Sequence, residues 1–237
     1  MVKKVIDNNT GLLQIAIDGP VGAGKGAIAA RLAKELHLVY IYTGAMYRAL
    51  SLSCIRNGVD TKDVPKVLQI LKNSHIELVE PDSRSIRPFK VLLNGNDVTD
   101  AIFAQDVAMG TSDVGTIPEV RKFMVKCQQE IAKGKKVVME GRDIGFRVLP
   151  HAQLKIFLTA TAEERAKRRY DQWKEKGVKK TYEEVLEETK KRDYQDTHRE
   201  VDPLQKFPDM WELDSTCLSE EEVVKKIVNE LKRRNLI

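Results

Sequence analysis

Aromatic side chains make up only 6% of the 237 residues, and there are three cysteines and four histidines. So few rings leave a poor footprint for a base-stacking nucleic-acid groove, which lines a basic track with aromatics. Cys54, Cys127 and Cys217 lie far apart and form no C-x-x-C pair. That argues against a disulfide framework or a cysteine zinc site and favours a reducing compartment. His37, His75, His151 and His198 are scattered without metal-ligand spacing, and no Ser-His-Asp set is legible. No apolar run approaches the ~20 residues of a membrane span. Residues 1–11 are polar, lack a secretory core and read as a loosely attached tail. A cytoplasmic protein with no membrane and no nucleic-acid partner is expected. Charge of one sign is also scarce. The net charge of +5 is the small difference between 40 basic and 35 acidic residues, mostly interspersed. Repeats, low-complexity tracts, interdomain linkers and coiled-coil heptads are missing, so one monomeric domain with insertions is expected.

What is present is a core-forming composition, 42% hydrophobic and 32% charged, and one organising stretch. The apolar run Leu12 to Ile17 leads into Asp18-Gly19-Pro20-Val21-Gly22-Ala23-Gly24-Lys25-Gly26-Ala27, and a helix-like run leaves it. Gly19, four residues, then Gly24-Lys25 matches the core spacing of a phosphate-binding P-loop between strand and helix. Glycines let backbone N–H groups turn toward phosphate oxygens. The helix start adds partial positive charge, and Lys25 a full one. The hydroxyl that often follows the lysine is missing, because Gly26 and Ala27 stand there. A metal ion would then be held mainly by nucleotide and water.

Further along, Leu38 to Ile41 reads as a strand followed by a helix to about Asn57, giving the β-α-β-α start of a parallel sheet. The spacing predicts a helix over 63–73. Strands over 76–79 and 89–93 meet at an Asn94-Gly95 turn, with a polar loop through Pro81-Asp82-Ser83, so residues 76–105 read as a small β-rich insertion. A helix is predicted over 118–133, with strands over 136–140, 154–158 and 210–213. Thr161/Glu164, Thr181/Glu184 and Ser219/Glu222 read as capping boxes opening three more helices, the first broken at Gly177 and the second ending near Gln195.

Ligands of open parallel sheets sit beyond the carboxyl ends of the strands. Three polar clusters fall there: the P-loop, Thr43-Gly44-Ala45-Met46-Tyr47-Arg48, and Glu140-Gly141-Arg142-Asp143. Glu140 ends an apolar strand where a carboxylate that holds Mg²⁺ or its waters would stand. Arg165, Arg168 and Arg169 share one helix face and could clamp phosphates, or simply be solvated. Arg192, Asp196 and Arg199 share another face if their helix extends, or include an ordinary ion pair. A P-loop with many arginines and no nucleophile suits phosphoryl transfer, which needs positioning and charge neutralisation.

The chain resembles the bacterial-type cytidylate kinases, P-loop nucleoside monophosphate kinases. The resemblance is carried by Ile17-Asp18-Gly19-Pro20 with Gly22 to Gly26, by Thr43 to Arg48, and by Glu140-Gly141-Arg142-Asp143-Ile144-Gly145. Lys155 to Leu158, Glu163 to Ala166 and Asp214-Ser215-Thr216 add to it. The resemblance implies a three-layer α/β/α fold with a central parallel sheet. Its core would cover about 12–75, 106–160 and 181–237, the monophosphate-binding insertion about 76–105, and a short helical lid about 161–180. It implies transfer of the γ-phosphate of ATP, with Mg²⁺, to CMP or dCMP in pyrimidine metabolism. Position by position, it implies ATP contacts from Gly19, Pro20, Val21, Gly22, Ala23, Gly24, Lys25, Gly26 and Ala27, with Arg165 and Arg169. It implies acceptor contacts from Thr43, Arg48, Arg142 and Arg199, sugar contacts from Arg192 and Asp196, and cytosine reading by Ser112, Arg121 and Asp143. Lys25, Arg142 and Arg192 are the implied catalytic cations, and Glu140 the implied water-mediated metal contact. Two positions depart from the family pattern. Tyr42 stands where Asp is usual, and Ala27 where Ser or Thr is usual. The competing readings are a monophosphate kinase for UMP or AMP and a nucleotide-binding module without turnover.

Overall fold

A computed structural model describes residues 12–81, 85–175 and 177–237; the expected N-terminal tail and the middle of the polar loop after Pro81 lie outside them. The central sheet contains β1 (Gln14–Asp18), β2 (Val39–Tyr42), β6 (Val137–Gly141), β7 (Leu154–Thr159) and β8 (Trp211–Asp214), in the order β2-β6-β1-β7-β8. Every pairing in it is parallel. Ile15, Ala16 and Ile17 are fully buried. A strand covered on both faces reads as an unbroken apolar run, which is why β1 shows no alternation.

The two faces are covered differently. Ile15 and Ile17 pack with Ile28 and Leu32 of α1 (Lys25–Leu36) and with Val223, Ile227 and Leu231 of α8 (Glu220–Arg233). Ala16, Val137 and Met139 pack on the opposite side with Ala132, at the end of α5 (Pro118–Ala132), and with Ile144 and Val148. Each large aliphatic side chain buried in this way contributes about 1.5–3 kcal/mol. A further core joins α2 (Thr43–Arg56), α3 (Val64–Lys72) and α5 through Met46, Leu50, Val67 and Met124.

A second, antiparallel sheet has the order β3-β4-β5, from Ile76–Val79, Lys90–Leu93 and Asn96–Asp97. Asn94 (φ 52°) and Gly95 (φ 77°) form its two-residue turn, the left-handed pair that an Asn-Gly hairpin supplies. The sheet rests on α2 through Val91, Leu93, Ala45 and Ala49. Between it and α5 lies α4 (Gln105–Val114), a helix that the sequence pattern did not suggest. Its Gly110 lies so near α2 that a Cβ there would sit 2.5 Å from Ser51 Oγ, so tight packing, and not propensity, makes this segment helical.

After β7 come α6 (Ala162–Glu175) and α7 (Tyr182–His198). Thr181/Glu184 and Ser219/Glu222 make reciprocal capping boxes, and Thr161 Oγ1 accepts from the Glu164 N–H at 3.2 Å. Helix α7 runs past the expected end at Gln195 to His198, with Arg199 as its C-cap. Residues Ile144–Val148 form a wide helical turn, also unanticipated. Among the described residues no helix is long and apolar enough to cross a membrane.

Candidate active site

The strand register sets the site. Tyr42 and Ile17 are both level with Glu140, and Ile17 is level with Ile156, which pairs with Trp211. The ends of all five strands therefore open on one edge. There a cleft of about 1120 Å³ is lined by the P-loop, α2, α4, the loop after β6, α6, α7 and the start of α8.

The loop between β1 and α1 is shaped by its glycines. Gly19 passes so close to β7 that a Cβ would meet the Leu158 carbonyl oxygen at 2.0 Å, and Gly24 enters α1 in the left-handed region at φ 90°. Lys25 is buried, and its Nζ donates to the carbonyls of Gly19 (2.8 Å) and Pro20 (2.7 Å). Burial, reinforced by Arg142, pushes the Lys25 ammonium down to about 7, against the pull of Glu140, Asp196 and Asp18. Asp18 is fully buried, and its two carboxylate oxygens accept from the Ile144 and Gly145 N–H groups at 2.8 Å each. Burial nevertheless outweighs those bonds and raises its carboxyl to about 7.

Thr43 Oγ1 donates to the Glu140 carbonyl at 2.7 Å, tying α2 to β6. The Glu140 side chain is buried at the cleft, with the Tyr40 hydroxyl close by. A Cβ on Gly26 would fall 3.7 Å from Glu140 Oε1. It would also touch the Tyr40 hydroxyl at 3.4 Å, so a side chain here would stand directly against the Tyr40–Glu140 pair. Among the described residues no group of three or more His, Cys, Asp or Glu could hold a metal ion by itself. The donor set fits a cation bound chiefly by a ligand, with Glu140 as the nearby protein carboxylate.

The arginines converge. Arg142 Nε donates to Asp196 Oδ2 at 2.6 Å, across from β6 to α7. Arg48 Nε donates to the Tyr42 hydroxyl at 3.1 Å and Nη1 to the Ile102 carbonyl at 3.0 Å. Arg169 and Arg192 each have a buried Nε without a hydrogen-bond partner among the described residues. Burial, and after it the neighbouring Arg142, lowers Arg192 to about 10; burial also lowers Arg169. Burial works against the charge on Asp196, but Arg142, Arg192 and Arg199 together hold its carboxyl below the usual range. Arg142, Arg169, Arg192 and Arg48 thus face one another around too few carboxylates, a surplus that an anion would neutralise. At the far end Arg121 pairs with Asp143, Arg121 Nη1 donates to the Gly115 carbonyl at 3.2 Å, and Ser112 of α4 lines the cleft nearby.

The residue model of one protein family matches this sequence over residues 15–233, and its description is cytidylate kinase. The chain belongs to the cytidylate kinase family. A cytidylate kinase of Caldicellulosiruptor bescii is 50% identical over 216 residues, covering 91% of this chain and 94% of that one. One from Caldanaerobacter subterraneus is 46% identical over 221 residues, covering 93% and 95%. One from Bacillus subtilis is 44% identical over 223 residues, covering 94% and 98%.

Most of the residues singled out from the sequence stand at this cleft. Val21 to Ala27, Thr43, Arg48, Ser112, Arg121, Glu140, Arg142, Asp143, Arg169, Arg192, Asp196 and Arg199 all line it. Gly19, Pro20 and Arg165 do not line it, and Arg165 has a different task. Its Nη1 and Nη2 reach Asp193 at 2.9 and 2.6 Å, Nη1 also reaches the Val21 carbonyl at 3.0 Å, and Nε reaches the Ala160 carbonyl at 2.9 Å. Being buried and fully engaged, it braces the P-loop from behind instead of lining the cleft. Arg168 of the same run binds Glu164 and the Ser215 carbonyl. Within Arg192, Asp196 and Arg199 a long ion pair joins Asp196 to Arg199 at 4.0 Å, and the shorter bond of Asp196 goes to Arg142 at 2.6 Å.

Several lining groups escaped sequence reasoning. Phe103 and Phe89 flank Tyr42, the departure already noted from the sequence, at 6.3 and 5.1 Å between centroids, making an aromatic wall. Trp173 lies between Arg169 (4.9 Å) and Lys180 (4.4 Å). Nothing in local spacing marks these rings, because they meet through three-dimensional packing. Asp18 was visible inside the P-loop motif, but its partners are 126 and 127 residues away.

Proposed function

We propose that the protein is a cytidylate kinase that transfers the γ-phosphoryl group of ATP to CMP or dCMP. The observation that carries this reading is the surplus of buried guanidinium groups in one cleft with a P-loop, Arg169 and Arg192 each having a buried Nε without a hydrogen-bond partner among the described residues. In this reading the P-loop N–H groups and Lys25 hold the donor phosphates, and Lys25 leaves its resting carbonyls to do so. Arg48, Arg142 and Arg199 neutralise the acceptor phosphate so that its oxygen can approach the donor. Arg142 and Arg192 carry charge that develops in the transition state. Magnesium, held by phosphate oxygens and water near Glu140, would add charge neutralisation between the phosphates. Asp143 accepts from the cytosine amine while Arg121 and Ser112 serve the ring acceptors. Uracil offers a carbonyl in place of the amine and meets a carboxylate. The antiparallel sheet with α4 serves as the acceptor wall, and α6 as a lid that brings Arg169 to the phosphates. The enzyme works as a cytoplasmic monomer.

The test is ADP formation from ATP and Mg²⁺ with CMP, dCMP, UMP, dUMP and AMP offered separately. Turnover with CMP and dCMP far above the others supports the reading. Turnover chiefly with UMP or AMP overturns the base assignment, and ATP binding without turnover on any acceptor overturns the reaction.

A further inference from the structure

Asp202 lies four residues beyond the end of α7, in a loop to which neither spacing nor motif drew attention. Its backbone sits in the left-handed region at φ 49°, which L-residues other than glycine rarely adopt and which Asn and Asp tolerate best. Its side chain is only 7% exposed and touches two arginines from different elements. One oxygen lies 3.5 Å from Arg121 Nε, on α5. The other pairs with Arg147, in the wide turn after Asp143. Its carbonyl oxygen accepts from Arg199 Nε at 2.7 Å and also from Nη2. One residue thus collects three guanidinium groups, and the function proposed above uses two of them.

The consequence for Arg121 is directional. Its Nη1 is fixed by the Gly115 carbonyl and its Nη2 faces Asp143. The Asp202 carboxylate stands 3.5 Å from the remaining nitrogen, Nε, as an ion pair without a hydrogen bond, while Nη2 donates to one oxygen of Asp143, Oδ2. Without that second carboxylate the guanidinium would lean wholly on Asp143 and compete with any base for its oxygens. Arg199 is similarly turned. With Nε and Nη2 taken by the Asp202 carbonyl, Nη1 is the nitrogen left toward Asp196, at 4.0 Å.

We infer that Asp202 is a positioning residue for base selection: its charge beside Nε keeps Arg121 to one oxygen of Asp143, Oδ2, and leaves the other to accept the cytosine amine. The inference rests on the base-reading roles proposed for Arg121 and Asp143. Asp202 touches no substrate in this arrangement. It acts through Arg121, and its removal affects the choice of base more than the phosphoryl step.

Two substitutions remove the carboxylate and keep a backbone that tolerates positive φ, Asp202→Asn and Asp202→Gly. Both retain the carbonyl that holds Arg199. Steady-state kinetics with CMP and UMP, with melting temperatures alongside, make the experiment. The expected result is a fall of about fivefold to tenfold in the ratio of kcat/KM for CMP to that for UMP, arising in the KM for CMP with kcat nearly unchanged. In an Asp143→Asn background the same substitutions should leave the ratio where Asp143→Asn alone puts it, because the path runs through Asp143. A general loss of stability would lower both substrates together and would not give that pattern. If wild type prefers CMP and Asp143→Asn erodes the preference, yet both Asp202 variants keep the wild-type ratio, the positioning role is refuted and the base reading stands. If Asp143→Asn leaves the preference intact, the base reading fails and this inference fails with it.

Discussion

Binding of ATP should draw a proton from solution, and Lys25 should be where it goes. In the ligand-free cleft burial and Arg142 bring its ammonium down to about 7. At pH 8 about nine-tenths of such a group is neutral, and at pH 7 about half. Phosphate oxygens within hydrogen-bond reach favour the charged form by about 1–3 pH units, so the lysine on a bound phosphate is mostly charged at either pH. The difference is an uptake of about 0.8 proton per ATP at pH 8 and about 0.5 at pH 7. The higher pH is the cleaner condition, since a terminal phosphate ionises near pH ~6 and has no proton left to give. The assay is isothermal titration calorimetry at pH 8 in two buffers of very different ionisation enthalpy, where the slope of apparent enthalpy against buffer enthalpy counts protons. Lys25→Met should bring the count close to zero. An uptake below about 0.2 in wild type, or an undiminished uptake in Lys25→Met, would refute the assignment.

Two other perturbations probe the surroundings. Tyr42→Phe keeps the ring stacked on Phe103 but deletes the oxygen that accepts from Arg48 Nε at 3.1 Å. A charge-assisted bond of this kind supports a KM for CMP raised by about threefold to tenfold with kcat little changed, and an unaltered KM would show that Arg48 needs no such anchor. Asp18 has a folded-state value raised from 3.8 to about 7, so between those pH values the folded chain binds more protons than the unfolded one. Its contribution to stability therefore falls as pH rises through that window, by at most about 1.4 kcal/mol per pH unit. Urea midpoints of wild type and Asp18→Asn, compared at pH 5 and pH 7, should differ in slope in that direction.

The parts of the fold and site legible in sequence are those written in short-range chemistry. The P-loop, the Asn94-Gly95 hairpin and the capping boxes at Thr181 and Ser219 each depend on residues within six positions of one another. The central strands were legible because burial on both faces leaves continuous apolar runs. Helix α4 was not, since its Gly-Thr-Ser-Asp sequence is poor in helix formers and α2 holds it in place. Arg165 shows the limit on the functional side. Spacing put it on one helix with Arg168 and Arg169, but only the fold shows that Asp193, 28 residues away, takes both ends of its guanidinium.

The bonds from Asp18 to Ile144 and Gly145 bear on when order is acquired. They clasp the segment after β6 to the end of β1, so the segment that carries Arg142 and Asp143 is fixed as the domain folds. The conformational entropy of that loop is lost during folding, at about 1–2 kcal/mol per backbone residue, and is not charged against each nucleotide that arrives. The P-loop and the loop after β6, which the proposed reading sets at opposite ends of the reaction, are thereby joined into one rigid jaw. Any motion that admits and releases substrates then falls to the elements outside the clasp.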